Sequence, residues 1–270
     1  MTGPAEVPAN QALWDVWSHI HRHSEMYDVE RFLAGESSLT EIDRAVVGDV
    51  AGKSLLHLQC HMGTDTLSWA RLGARVVGVD FSQVAIDHAR ALADRLAMDA
   101  EFQRAEIGAL DRVIGDRHFD LIFTSYGVLS WLSNLQPWAR EIAHHLAPGG
   151  HFHMVEFHPT LGLFDHDGKT VAYPYFHKAE PFVFEETESY AGGSHPPMAC
   201  YQWSHSLADV FGSLLRAGLK IIEFKEYPFC CHNCYEFLRE ETPGRYVMKE
   251  YPGLIPLLFS ITAKAPSKCK

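Results

Sequence analysis

The sequence lacks any apolar run near the ~20 residues a bilayer span requires. Its first ten residues, Met1 to Asn10, carry no basic stretch followed by an apolar one. Neither a membrane segment nor a secretory signal is therefore expected, and Met1 to Asn10 read as a frayed leader. Basic residues are also scarce: 23 Lys and Arg face 34 Asp and Glu, a formal charge of −11, with no Lys/Arg run. That balance argues against a partner bound by neutralising phosphates, which excludes the usual nucleic-acid binder. Six cysteines in 270 residues are too few for a disulfide framework. Two nucleotide loops are missing as well, the Gly-x-Gly-x-x-Gly of dinucleotide folds and the Gly-x-x-x-x-Gly-Lys-Ser/Thr of P-loop proteins. These absences point to a soluble, cytoplasmic chain whose partner is a small molecule; a monomer or homodimer is expected.

What the chain does have is an ordinary globular share of hydrophobic residues, 47%, and an unusual number of histidines, 17, dispersed along it. Apolar positions recur at helical spacing from Gln11 to Leu33, and a second short helical stretch covers Leu39 to Val47. A strand–helix alternation follows. Lys53–Gln59 reads as a buried strand, Thr64–Leu72 as a helix, and Ala74–Asp80 as a second strand. Ser82 is suited to cap a helix over Gln83–Ala97. Ala100–Arg104 and Phe119–Thr124 read as strands, Gln136–Leu146 as a helix stopped by Pro148-Gly149-Gly150, and His151–Phe157 as a fifth strand. The pattern breaks at His158. From there to His205 the chain is rich in aromatics, Pro and Gly, with only short strand-like runs such as Pro181–Phe184, and reads as a functional insertion. Helix Ser206–Ala217 and strands Leu219–Tyr227 and Leu257–Ala263 complete the alternation. Four parts are expected: an N-terminal helical lid (1–47), a cofactor-binding α/β core (48–157), a substrate-covering insertion (158–205) and the remainder of the core (206–270). Strands separated by helices imply a doubly wound, mostly parallel sheet.

Five stretches carry chemistry. Leu55-Leu56-His57-Leu58-Gln59-Cys60-His61-Met62-Gly63-Thr64-Asp65 spans a strand–helix junction, the cofactor crevice of an open α/β sheet. Val76-Val77-Gly78-Val79-Asp80-Phe81-Ser82 ends a strand in a carboxylate that can accept two ribose hydroxyls. Ala105-Glu106-Ile107, the fourth strand leading to Ser125-Tyr126, and Leu146-Ala147-Pro148-Gly149-Gly150 follow in order. Together they resemble the motifs of class I S-adenosylmethionine-dependent methyltransferases, with a variant glycine motif. Gln59 and His61 stand at the first two glycine positions, Gly63 at the third, and His57 where an acid is usual. The resemblance implies a seven-stranded Rossmann-like sheet whose last strand is antiparallel, and S-adenosylmethionine as cofactor. It implies Asp80 at the ribose, Glu106 and Ile107 at the adenine, and Gly63 with Gln59, Cys60, His61 and Met62 at the methionine end. His57, Asp65, Phe81, Ser82, Ser125 and Tyr126 complete the expected cofactor set.

The expected activity is methyl transfer to nitrogen or oxygen of a small aromatic or heterocyclic molecule. The candidate catalytic residues are His158, Tyr126 and Glu156, near the strand C-termini, with His158 favoured as base because an ordinary imidazole titrates near neutrality. The acceptor pocket is expected from Trp14, Trp17 and Tyr27 on one side and Trp131, Tyr173, Tyr175, His177 and Trp203 on the other. No resident metal is expected, since the fourth strand ends without an acid. Cys230-Cys231-His232-Asn233-Cys234 keeps two alternatives open: a metal-binding protein or a thiol- and metalloid-directed methyltransferase. The eroded glycine motif leaves a third, a catalytically inactive cofactor-binding protein.

Overall fold

The computed structural model describes residues 5–265. Helix α1 (Glu6–His21) begins well inside the stretch expected to be frayed, whose first four residues lie outside the described ones. Its start is held from afar. The Asn10 amide donates to the Tyr201 carbonyl at 2.8 Å, and the Tyr201 N–H donates back to Asn10 at 2.9 Å. The single helical region expected to Leu33 is broken after His21. Asp28, with φ of 34°, starts the separate α2 (Val29–Leu33). Helix α3 (Glu41–Val47) opens on a capping box between Thr40 and Asp43.

The alternation then runs as expected: β1 (Ser54–Leu58), α4 (Thr64–Arg71), β2 (Arg75–Asp80), α5 (Gln83–Arg95), β3 (Ala100–Arg104), α6 (Asp111–Ile114), β4 (Phe119–Ser125), α7 (Leu135–His145) and β5 (Leu146–Phe157). The Pro148-Gly149-Gly150 turn is absorbed into β5 as an irregularity. Phe119 pairs with Leu146 while Leu121 pairs with His151, so the intervening residues bulge. A side chain at Gly150 would sit 2.9 Å from two backbone carbonyls. After the insertion, which forms a hairpin of β6 (Phe182–Glu188) and β7 (Ser194–Gln202), come α8 (Leu207–Arg216) and β8 (Lys220–Tyr227). A second hairpin, β9 (Leu238–Thr242) with β10 (Arg245–Met248), was not foreseen, and β11 (Leu258–Lys264) closes the chain.

The main sheet has seven strands in the order β3-β2-β1-β4-β5-β11-β8. Five are parallel, and β11 is antiparallel to both β5 and β8. The expected doubly wound, seven-stranded architecture with an antiparallel last strand is therefore found. Strand periodicity assigns the two faces. Leu55 packs with Trp69 and Phe123 on one side, and Leu56 and Leu58 pack with Trp138 and Ile142 on the other. The same alternation turns His57 to the α4 side, where its Nδ1 meets the Thr66 hydroxyl at 2.8 Å.

Two further groups of apolar side chains sit above the strand C-termini. One joins α1 to β7 through Leu13, Trp17 and Cys200, with Trp14 and Trp131 against it. The other packs Ile42, Val46, Cys230, Phe237, Met248 and Leu257 beneath the β9–β10 hairpin. Among the described residues, no helix is long and apolar enough to cross a membrane.

Candidate active site

A cavity of about 1040 Å³ opens where β1, β2 and β4 end, covered by α1, the β6–β7 hairpin and residues 232–237. This is the crevice position at which open α/β sheets take their ligands. Of the expected cofactor residues, His57, Gln59, Cys60, His61, Asp65, Asp80, Phe81, Glu106, Ile107, Ser125 and Tyr126 line it. Gly63 and Ser82 do not, because both are occupied in starting helices. Gly63 is the N-cap of α4 at φ 76°, and a side chain there would strike Phe102 at 2.6 Å. Ser82 caps α5 and donates its hydroxyl to Asp15 of α1 at 2.6 Å.

The β1–α4 loop keeps a glycine-type backbone without glycine. Gln59 and His61 both take positive φ, 55° and 49°. Such a conformation costs a non-glycine residue on the order of 1 kcal/mol, so the surroundings must hold it. Asp80 does part of this, accepting the His61 N–H at 2.9 Å on one oxygen and the Ser82 N–H at 2.9 Å on the other. Burial pushes the Asp80 carboxyl up to about 6. The His61 ring continues outward: its Nε2 lies 2.8 Å from Nδ1 of His21, whose Nε2 lies 2.6 Å from the Ser189 hydroxyl on the hairpin turn. Tyr27 stacks on His21 and meets Tyr190 oxygen to oxygen at 2.5 Å. Burial holds His21 and His57 down to about 3 and His61 well below the ordinary imidazole value, so all three rings are neutral.

Three buried polar atoms of this loop have no partner: His57 Nε2, Gln59 Oε1 and His61 Nδ1. Leaving such atoms unpaired costs about 1–3 kcal/mol each. They belong to residues on the cavity wall, and a ligand with complementary polar groups would relieve that cost. The residues present therefore fit a cofactor with an amino-acid end.

The three catalytic candidates all line the cavity, and each is already engaged. Glu156 is buried and accepts backbone N–H groups from Gly127, Val128 (2.8 Å), Leu129 (3.2 Å) and Phe157 (2.7 Å). It thereby fixes the turn after β4. The Tyr126 hydroxyl donates to Asp43 at 3.1 Å and meets the Thr40 hydroxyl at 2.9 Å, tying the same turn to α3. Burial raises its pKa far above the ordinary phenol value. His158 has Nδ1 against the Thr160 hydroxyl at 2.8 Å and Nε2 at 3.0 Å from Glu226; burial lowers its pKa more than Glu226 raises it.

Of the residues expected at the acceptor, Trp14, Trp17, Tyr27, Trp131, Tyr173 and Trp203 line the cavity. Trp14, Trp17 and Trp131 meet edge to face, with centroids 5.2–6.0 Å apart. Tyr175 and His177 stand apart from the cavity wall. The Tyr175 hydroxyl accepts the first N–H of α8, and His177 stacks on His205 at 4.8 Å. Tyr190, His232, Cys234 and Tyr235 line the cavity without having been expected there. His232 stands edge-on to Tyr126 at 4.6 Å. The compact Cys–His run marks this segment as unusual, but it does not by itself place His232 or Cys234 on a cavity wall. Cys230 instead lies buried with its thiol near the Leu257 carbonyl at 3.8 Å. Among the described residues, the run does not form a group of converging metal ligands.

A doubly wound sheet with a carboxylate at the end of β2 and a cavity across β1 and β4 defines a nucleotide-type cofactor binder of the α/β class. Comparison narrows the class. Residues 55–150 match the family described as a methyltransferase domain. A demethylmenaquinone methyltransferase of Clavibacter sepedonicus is 32% identical over 111 residues, 41% of this chain and 44% of that protein. The chain spans about half the length of the curated relatives it matches. Among solved structures, an S-adenosylmethionine-dependent methyltransferase from Clostridium acetobutylicum superposes with a TM-score of 0.56 at 14% identity, covering 94% of this chain and 99% of that one. The [4+2]-cyclase SpnF superposes at 0.60 and 14% identity, with 96% of both chains covered. The chain thus resembles methyltransferases over residues 55–150, and its fold is the one that S-adenosylmethionine-dependent methyltransferases share.

Proposed function

We propose that the protein transfers a methyl group from S-adenosylmethionine to nitrogen or oxygen of a small, flat aromatic or heterocyclic molecule. The observation that carries this reading is one continuous cavity walled by Asp80, Glu106 and Ile107 at one part and by indole and phenol rings at another. Asp80 would hold the ribose, Glu106 and Ile107 the adenine, and the side chains of His57, Gln59 and His61 the amino-acid end. When bound, the cofactor supplies a methyl group already activated on sulfur. The chain's own task is then to align an acceptor and exclude water, which can provide most of the rate.

Proton removal is not the dominant demand in this reading. Glu156 is committed to backbone amides, the Tyr126 proton to Asp43, and the His158 ring to Thr160 and Glu226. An acceptor that attacks as a neutral nitrogen, or arrives ionised, suits such a wall. Where a proton must leave, His158 is the base to test, released from Glu226. The aromatic wall also suits a quinone-type ring of the sort named in the demethylmenaquinone methyltransferases. Calorimetric titration with S-adenosylhomocysteine, with NAD as control, tests the cofactor. Micromolar binding of the first alone is expected, and equal or absent binding of both would overturn the reading. A panel of aromatic amines, phenols and quinols with labelled S-adenosylmethionine then assigns the acceptor. Binding without turnover on the whole panel would favour the inactive cofactor-binding alternative.

A further inference from the structure

At the opposite end of the sheet from the cavity, before β4 begins, Asp111 of α6 meets the last two residues of α7, His144 and His145. Their ligand atoms lie within 4.8 Å of one another. His145 is fully buried. Its Nδ1 lies 2.8 Å from the Arg117 carbonyl, an oxygen that only accepts, so Nδ1 carries the proton. In the neutral ring Nε2 then presents a lone pair. That nitrogen has no hydrogen-bond partner, yet it faces Glu141 Oε2 at 3.4 Å and Asp111 Oδ1 at 3.5 Å. A buried lone pair aimed at two carboxylate oxygens is repulsive unless a proton or a metal cation lies between them.

The second imidazole completes the arrangement. His144 Nε2 lies 3.4 Å from the same Asp111 oxygen and 3.1 Å from Asp116 Oδ1. Zinc bonds to nitrogen and oxygen of about 2.0–2.1 Å place neighbouring tetrahedral ligands roughly 3.3–3.4 Å apart. Four measured separations, from 3.1 to 3.5 Å, bracket that edge. The Arg117 carbonyl is the kind of outer partner that fixes a ligating imidazole's tautomer. The negative end of α7 and three carboxylates add a field suited to a dication.

We propose that His144, His145 and Asp111, with Glu141 or Asp116 as the fourth ligand, form a binding site for a divalent transition metal, zinc by its donor set. The site is structural. It lies far along the chain from the Cys230–Cys234 run and takes no part in methyl transfer. Asp111 follows Ile107 by four residues, so a bound ion would pin the end of the Glu106–Ile107 stretch to α7.

The test uses the full chain with zinc alone, then cobalt as a spectroscopic substitute. One zinc per chain is expected by equilibrium dialysis, with a rise in Tm of several degrees at saturating metal. Cobalt should give the visible bands of a tetrahedral nitrogen–oxygen site without a near-ultraviolet thiolate band. His144→Ala and Asp111→Asn, both at half-exposed or exposed positions that leave the core intact, should each weaken zinc binding at least tenfold. Absence of zinc uptake, uptake unchanged in both variants, or a thiolate band would overturn the proposal.

Discussion

The two halves of the cavity wall are built in opposite ways. On the cofactor side, side chains project from the ends of β1, β2 and β4, and a one-residue shift would turn each strand inside out. Over the acceptor part, α1, the β6–β7 hairpin and residues 232–237 come from three distant parts of the chain; the first two hold each other, while the third packs on Tyr126 and Phe157. The first half is fixed by a buried sheet. The second is fixed by rings such as Trp14, Trp17 and Trp131 and by the Asn10–Tyr201 pair. The difference teaches where variation is tolerated: loops over a rigid sheet can change partner while the strand ends stay put.

Four changes would break or sharpen this contrast. The largest effect is expected from Asp80→Ala, which removes the carboxylate proposed to hold the ribose and frees the His61 amide. Affinity for S-adenosylhomocysteine should fall a hundredfold or more by calorimetry, on the order of two charged hydrogen bonds. Glu156→Gln should act on the fold instead. It aims an amide at backbone N–H groups and should cost about 2–4 kcal/mol in denaturant unfolding, while the folded fraction keeps near-normal cofactor affinity.

Acidity separates the halves by sign. Asp80 titrates near 6 in the folded chain, so cofactor affinity should rise as pH rises through that value, by up to about tenfold per unit below it. The buried histidines act on stability. His21 and His57 are held down to about 3, and His153, His205 and His232 to about 4. Each binds a proton more readily unfolded, so their contribution is complete above about pH 6.5 and is lost as pH falls toward 4. Asp43, pushed up to about 7 by burial, and Asp80 work in the opposite direction. The histidines outnumber them, and the Tm should drop between pH 7 and pH 5.

The smallest change is the most discriminating. Gln59→Gly relieves a φ of 55° but removes a side chain from the wall. If side chains grip the cofactor's amino-acid end, affinity should fall about tenfold. Tighter binding instead would show that the backbone does the work.

The same contrast decides what can be read from the chain alone. The strand ends carry their chemistry in local order, so Asp80, Glu106 and the β1–α4 loop are placed by sequence spacing, and the cavity contains them. Gly63 and Ser82, expected at the cofactor, start helices beside the cavity wall, since helix capping and cofactor contact favour the same residue types. The β6–β7 hairpin escapes because Pro196 and Pro197 interrupt β7, and only Gly192-Gly193 hints at its turn. The β9–β10 hairpin is hidden by charge: Leu238–Thr242 reads Leu-Arg-Glu-Glu-Thr and looks like solvated loop. Tyr190 and His232 are invisible as wall residues, since nothing local says that their segments fold over the strand ends. Tyr175 and His177 are aromatic and in the insertion, but the first meets the start of α8 and the second Ser204 and His205.

The paired Asn10–Tyr201 bonds have a kinetic consequence. They bind the first helix to the hairpin strand through a mutual amide exchange, as a neighbouring strand would. Two of the three covers are thereby joined into one unit. An opening that moves one of them must move the other, so a ligand entering or leaving past this side of the cavity should show a single rate constant. Severing that clasp would change the rate of release before it changed the strength of binding.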